Sequence, residues 1–217
     1  MTHKSNPLAE WIASGALTSV DNQIAPTDEF LSNVSERKKT ISNDDTVAVE
    51  HIRPELRKVD LDVELSATYL ELSKYDVPAS PAQLMATAVL LTSEKSTGAR
   101  SAGAPSGFLP LHWEDASRLV ELCDRCVVYV WRDNCDSCET MKKSLSDIFS
   151  ADRPDDILAI SIYGPDCATD LQREYDVSIG PTTLFTLNGS VDSRIIGAAD
   201  TSAIRHEISV LQQRNQQ

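Results

Sequence analysis

Lysine, glycine and aromatic residues are all scarce in this sequence, and a long apolar run is missing altogether. Of 217 residues, 8 are Lys, 8 are Gly and 6% are aromatic. Basic residues total 20 against 33 acidic ones, a net charge of -13. A nucleic-acid binder needs a cationic face that displaces phosphate counterions, and a polybasic membrane-surface protein needs the same excess. The composition argues against both. No stretch of about 18 apolar residues occurs, so no spanning helix is expected. The few glycines form no G-x-G-x-x-G or phosphate-loop pattern. The opening MTHKSNPLAEWIASGALTSV lacks a continuous apolar stretch and carries Glu10. A secretory leader is therefore not expected, and a cytoplasmic location is. His3, His51, His112 and His206 are scattered, with no H-x-x-x-H or Cys-His pairing at ligand spacing, and are read as solvated or structural.

What is present is enough for a folded core. Hydrophobic residues make up 41% of the chain, too many for wholesale disorder. The length allows one domain of about 100 residues plus a remainder. The acid is mostly Asp, 20 of 33. An Asp-rich, Lys-poor balance suits a halophilic protein kept soluble in strong salt, where screening removes carboxylate repulsion; an ordinary acidic cytosolic protein is the alternative.

Residues 1–53 are polar, with short apolar islands around Trp11 and from Ile24 to Leu31. SNVSERKKTISNDD (32–45) is expected to be exposed or flexible. A helical hairpin is expected over 54–95. Its first helix runs from Pro54 to about Tyr75, with Leu56, Val59, Val63, Ala67 and Leu70 recurring at three and four. Its second opens at Ser80-Pro81, with Leu84, Met85, Ala88 and Leu91 on one side and Lys95 near the end. The small-residue stretch STGARSAGAPSG (96–107) is read as a linker or exposed loop. Two helices alone bury little surface, so the hairpin must pack on the C-terminal part, on residues 1–31 or on another chain.

From 108 onward the texture is alternating strand and helix. Leu109–His112 is a short strand and Trp113–Cys123 a helix. Cys126–Trp131 is too short for a helix and rich in β-branched residues, so it is a buried strand. Met141, Leu145, Ile148 and Phe149 then repeat at helical spacing. Ile157–Ile162 is a second buried strand, Ala168–Tyr175 a helix and Thr182–Leu187 a third buried strand. Asn188-Gly189 signals a hairpin turn, Val191–Ile196 returns, and Thr201–Leu211 closes as a helix. The order β-α-β-α-β-α-β-β-α predicts an α/β fold with a parallel start and an antiparallel finish.

All five cysteines lie in this part: Cys123, Cys126, Cys135, Cys138 and Cys167. An odd count without a leader points to reduced thiols, chemistry or metal rather than a secreted disulfide framework. Cys135-Asp136-Ser137-Cys138 falls where a buried strand meets a helix. The helix N-terminus carries unsatisfied N–H groups and a partial positive charge that stabilise a thiolate on the first cysteine. The second cysteine, one turn on, can resolve a mixed disulfide; this is thiol–disulfide exchange.

The segment VVYVWRDNCDSCETM resembles the active-site strand, loop and helix of the thioredoxin family. Trp131 stands where the family has a Trp that packs beneath the site. YDVSIGPTTLFTLNGSV is similar to the family's second landmark, a cis-proline turn followed by strand, hairpin and strand, and Gly197-Ala198 matches the small residues before the last helix. The resemblance covers about half the chain, 108–213. It implies a thioredoxin-like fold, a central mixed sheet with flanking helices, preceded here by the helical N-terminal region. It implies catalytic Cys135 and Cys138, a cis Pro181, and a substrate-binding set of Trp131, Gly180, Pro181 and Thr182. It implies protein disulfides as substrates and a thioredoxin-reductase-type electron donor; no cofactor or metal is expected. Three departures stand out. Asp136-Ser137 replaces the family's Gly-Pro. Tyr129 occupies the place of a buried carboxylate that relays a proton from the second thiol. Asn134 replaces a Trp before the first cysteine. Asp133 and Asp136 are expected to raise the Cys135 pKa, with Arg132 as an offset.

These departures keep open a non-catalytic interaction module with a helical partner-binding extension. Cys123 and Cys126 with Cys135 and Cys138 give C-x2-C-x8-C-x2-C, a four-thiolate zinc pattern. An extended strand from Cys126 would separate the pairs, so two core or edge residues are expected at Cys123 and Cys126. Cys167 is read as an ordinary loop thiol.

Overall fold

Two apolar islands and a Thr-Asp-Glu sequence organise the amino end. In the computed structural model, which describes residues 7–20, 23–41, 63–77, 79–93, 96, 99–151, 154, 156–178 and 180–214, helix α1 (Pro7–Ala13) leads into an antiparallel hairpin of β1 (Leu17–Val20) and β2 (Gln23–Pro26). Helix α2 (Asp28–Thr40) follows. The Thr27 side chain caps it by accepting from Phe30 N–H, Asp28 and Glu29 fill the first turn, and Arg37, Lys38 and Lys39 fill the last. Those charges complement both ends of the helix dipole. The segment at 32–45, expected to be exposed or flexible, is mostly exposed over 32–40 but is regular helix there. Composition hid it because only Phe30 and Val34, one turn apart, are buried there; residues 42–45 lie outside the described residues.

Helix α3 (Val63–Leu72) and helix α4 (Pro81–Thr92) form the expected hairpin; Pro54 to Asp62 and Lys95 lie outside the described residues. Ser80 and Gln83 make a reciprocal capping box at the start of α4, with Pro81 in its first turn. The expected apolar stripe on α3 needs correction. Val63 is exposed and Leu70 half-buried, while Leu65, Ala67, Tyr69 and Leu72 are buried. On α4, Met85 and Ala88 are buried but Leu84 and Leu91 only partly, and Ala86, Val89 and Leu90 are buried as well. Helices buried on several sides carry no single stripe for a period argument to find.

The second half is one sheet. Strands β3 (Leu109–Pro110), β4 (Arg125–Trp131), β5 (Leu158–Tyr163), β6 (Thr182–Leu187) and β7 (Ser190–Ile196) stand in the order β3-β5-β4-β6-β7. β3, β5 and β4 pair in parallel, and β6 and β7 join antiparallel. Helices α5 (Trp113–Leu122), α6 (Asp136–Ala151), α7 (Ala168–Tyr175) and α8 (Thr201–Gln213) fill the connections and close the chain. The β6–β7 turn is Asn188-Gly189, both at positive φ, the geometry that matches the twist of a two-residue hairpin.

β4 is central and divides the core by residue parity. Cys126, Val128 and Val130 join one cluster with α5, α7 and the amino-terminal residues Trp11, Phe30, Leu65 and Met85. Val127, Tyr129 and Trp131 join the other, with Met141, Leu145 and Phe149 of α6 and Ile204, Ile208 and Leu211 of α8. The helical half therefore shares a core with one face of the sheet, and α6 and α8 cover the opposite face. Asp115 reinforces the first contact by accepting from the hydroxyls of Ser93 and Ser96, each at 2.5 Å.

The small-residue stretch leaves α4 and crosses to the α6 face. Lys142 Nζ donates to the Ala102 carbonyl at 2.6 Å, and Ser106 N–H donates to Ser146 Oγ at 3.0 Å. Gly103 lies flat on the Trp131 indole, where an added Cβ would stand 2.2 Å from the ring.

Candidate functional site

The carboxyl end of β4 turns through Arg132, Asp133 and Asn134 into α6. Asn134 holds a left-handed φ of 53°, a conformation its short polar side chain tolerates. That turn puts Cys135 at the helix entrance. Its carbonyl accepts from Glu139 N–H at 3.1 Å and its sulfur accepts from Cys138 N–H at 3.2 Å. The sulfur thus takes the place of an N-cap oxygen. A thiolate there gains a charge-assisted hydrogen bond as well as the favourable end of the dipole. Ser137 Oγ lies 3.4 Å from the same sulfur.

Cys138 sits one turn into α6, buried, and is disulfide-bonded to the half-buried Cys135. The Gly180-Pro181 bond is cis, and the Gly180 carbonyl lies 3.9 Å from Cys135 Sγ. Pro181 and Thr182 are buried at the start of β6, with the Pro181 carbonyl accepting from Gly197 N–H at 2.8 Å. Trp131 is buried too, packed edge-on against Tyr163 at 4.8 Å. The two landmarks that lie 45 residues apart in sequence meet at one sulfur.

Beneath the pair stands Tyr129. Its hydroxyl donates to the Cys138 carbonyl at 2.8 Å. Burial, with Glu139 adding to it, holds the phenol neutral well above the usual tyrosine range. In register on either side are Ser161 of β5 and Thr183 of β6, both buried. A rung of three hydroxyls therefore stands where the resemblance would put a carboxylate. Ser161 and Thr183 are small or β-compatible residues inside apolar strands, so only Tyr129 could be singled out from the sequence.

Beside the turn opens a cavity of about 170 Å³. Val130, Pro165, Ala168, Leu171 and Val177 supply apolar wall, with Trp131, Arg132 and Gly180 also lining it.

Arg100 escaped the sequence reading altogether. It comes from the stretch read as a linker, 33 residues before its partner, and pairs with Asp133 at 2.8 Å. Tyr163 OH donates to the same carboxylate oxygen at 2.7 Å, and the Arg100 guanidinium lies 4.2 Å over the Tyr163 ring. The cation engaging Asp133 is Arg100, from the stretch read as a linker.

The remaining cysteines lie elsewhere. Cys123 is the C-cap of α5 and Cys126 is the second residue of β4, both buried. They sit at the far end of the strand, roughly 20 Å of β4 away from the Cys135 loop, so the four-thiolate pattern does not converge. Cys167, read as a loop thiol, is buried as the N-cap residue of α7. Burial first, then Asp166 and Asp170, push its thiol up to about 12.

A C-x-x-C at the β4–α6 junction, facing a cis-proline turn before an antiparallel hairpin, defines Leu109–Gln213 as a thioredoxin-like fold. No family model matches the sequence, and no curated protein matches it. Among solved structures, the C-terminal half is similar to the Malassezia sympodialis thioredoxin Mala s 13, at 17% identity over 46% of this chain and 84% of that one, TM-score 0.41. It is also similar to mitochondrial thioredoxin 3 of Saccharomyces cerevisiae in its oxidized form, at 20% identity over 45% and 90%, TM-score 0.39. A third is a mutant thioredoxin from Halobacterium salinarum NRC-1, at 17% identity over 52% and 96%, TM-score 0.41. Folds host many activities, so these likenesses assign none.

Proposed function

We propose that this protein is a thiol–disulfide oxidoreductase acting on protein disulfides through Cys135 and Cys138. The observation that carries the reading is the position of Cys135 Sγ, which accepts an α6 N–H and lies 3.9 Å from the Gly180 carbonyl. In the reduced pair, the Cys135 thiolate attacks a partner disulfide, forms a mixed disulfide and expels the partner's first thiolate. Cys138 then gives up its proton and attacks Cys135 Sγ. The partner leaves as a dithiol and the pair ends as the disulfide. Gly180, Pro181 and Thr182 offer the edge on which an extended peptide docks, and Trp131 supports it. A thioredoxin-reductase-type protein would return the electrons. The domain boundary is taken near 107, with 108–217 as the redox part and 1–107 as its extension.

Residues 108–217 carry 10 basic and 18 acidic residues, against 10 and 15 in 1–107. That acidity supports preference for high salt or cationic partners. The test is single-turnover reduction of a peptide disulfide by the pre-reduced protein, in dilute and in molar salt. Wild type should reduce it in both and Cys135→Ser in neither; equal rates for the two would overturn the reading. A second reading, a non-catalytic module, is favoured by one observation: Tyr129 binds the Cys138 carbonyl where a proton relay would need a carboxylate. It predicts no reduction by either protein.

A further inference from the structure

The loop that delivers Cys135 is held by one residue from outside the sheet and one at the end of β5. Asp133, two residues before the sulfur, has one carboxylate oxygen shared between Arg100 at 2.8 Å and Tyr163 OH at 2.7 Å. Arg100 in turn covers the Tyr163 ring, and Tyr163 packs edge-on against Trp131. Gly103, three residues past Arg100, lies on the Trp131 ring, with no room for a Cβ. Lys142, one turn past Cys138 on α6, fastens the strap through the Ala102 carbonyl. Two further contacts therefore fix the strap that carries Arg100, one to the indole and one to the reactive helix.

The charges around the sulfur explain what the clasp does. Asp136, Glu139 and Lys142 lie on α6, Asp133 and Arg132 on the loop, Tyr163 on β5 with Asp166 just beyond, and Arg100 on the strap. Near the sulfur the carboxylates outnumber the cations. Two negative charges flanking Cys135 in sequence disfavour a thiolate, and pairing one of them with a cation removes most of its repulsion.

We propose that Arg100 is a positioning residue for the redox step: by clasping Asp133 it fixes the loop before Cys135 and cancels the carboxylate that would otherwise oppose the Cys135 thiolate. This rests on the exchange reading only for its consequence; the charge coupling itself is measurable without any exchange. It also makes the reactivity of the pair depend on a residue contributed from outside the sheet.

The experiment follows alkylation of Cys135 by iodoacetamide in the reduced full-length protein as a function of pH. Peptide-resolved mass spectrometry separates Cys135 from the other thiols. In dilute buffer, Arg100→Ala should move the midpoint upward by about half a pH unit, roughly a threefold loss of rate at neutral pH. Asp133→Asn should move it downward, because Arg100 is then uncompensated. The double variant should return close to wild type, and all differences should shrink in molar salt, where the Debye length is about 3 Å. A purely structural role would move both single variants the same way and leave the double variant worse. An unchanged midpoint in Arg100→Ala, or no return in the double variant, overturns the proposal. If the midpoints move as expected while peptide disulfides are not reduced, the exchange reading fails and the coupling stands.

Discussion

Two C-x-x-C pairs lie at opposite ends of one strand, and their surroundings differ in every respect that matters for sulfur chemistry. Cys135 opens a helix and Cys123 closes one. The first therefore meets N–H groups and the positive end of a dipole; the second sits where carbonyls and the negative end lie. Cys135 is half-buried beside a cleft, whereas Cys123 and Cys126 are 2% and 0% exposed. Spacing alone is shared. Cys167 adds a third case: it precedes a helix as Cys135 does, yet burial and two aspartates hold it protonated. A helix entrance activates a thiol only where solvent and charge also permit it.

The largest effects should separate the two pairs. Cys135→Ser should abolish peptide-disulfide reduction, a loss of at least about a hundredfold, whereas Cys126→Ser should leave it within about twofold. Comparable losses would erase the distinction. For Cys167, a thiol pushed from 9.0 up to about 12 implies alkylation near pH 8 about a thousandfold slower in the folded protein than in urea. The same shift makes stability depend on pH. Below about pH 9 this thiol is neutral in both states, and its contribution is full; as pH rises toward about 12 only the unfolded chain ionises, and stability falls. A shallower decline of the urea midpoint in Cys167→Ser than in wild type across that range would show it, since buried Tyr129 adds its own decline to both.

Smaller effects probe what supports the reactive end. Gly103→Ala drives a methyl into the Trp131 ring and should cost roughly 1–3 kcal/mol in urea unfolding, as overpacking does. Tyr129→Phe removes a buried hydrogen bond to the Cys138 carbonyl and should cost about 1 kcal/mol. If Tyr129→Phe instead cost nothing, the rung beneath Cys138 would be packing alone.

The sheet was readable from the sequence because each buried strand is a short β-branched run bounded by turn residues. Ala168–Tyr175 and Thr182–Leu187 begin and end where the residue pattern places them. Cys135, Cys138 and Pro181 were readable because two local motifs fall on strand ends that the topology brings together. Arg100, Gly103 and Tyr163 were not, since an arginine in a stretch of small residues has no partner until the chain is folded. The amino-terminal helices were blurred for another reason. α2 buries only two apolar residues, and α3 and α4 are buried on several sides, so neither offers the single stripe that periodicity detects.

The exchange reading depends on one sulfur attacking and its neighbour resolving. Incubating the reduced Cys138→Ser protein with a peptide disulfide and mapping the adduct tests this most directly. A stable mixed disulfide on Cys135, absent in Cys135→Ser, is the predicted result. An adduct on Cys123 or Cys126, or the same adduct yield in the Cys135→Ser protein, would contradict it.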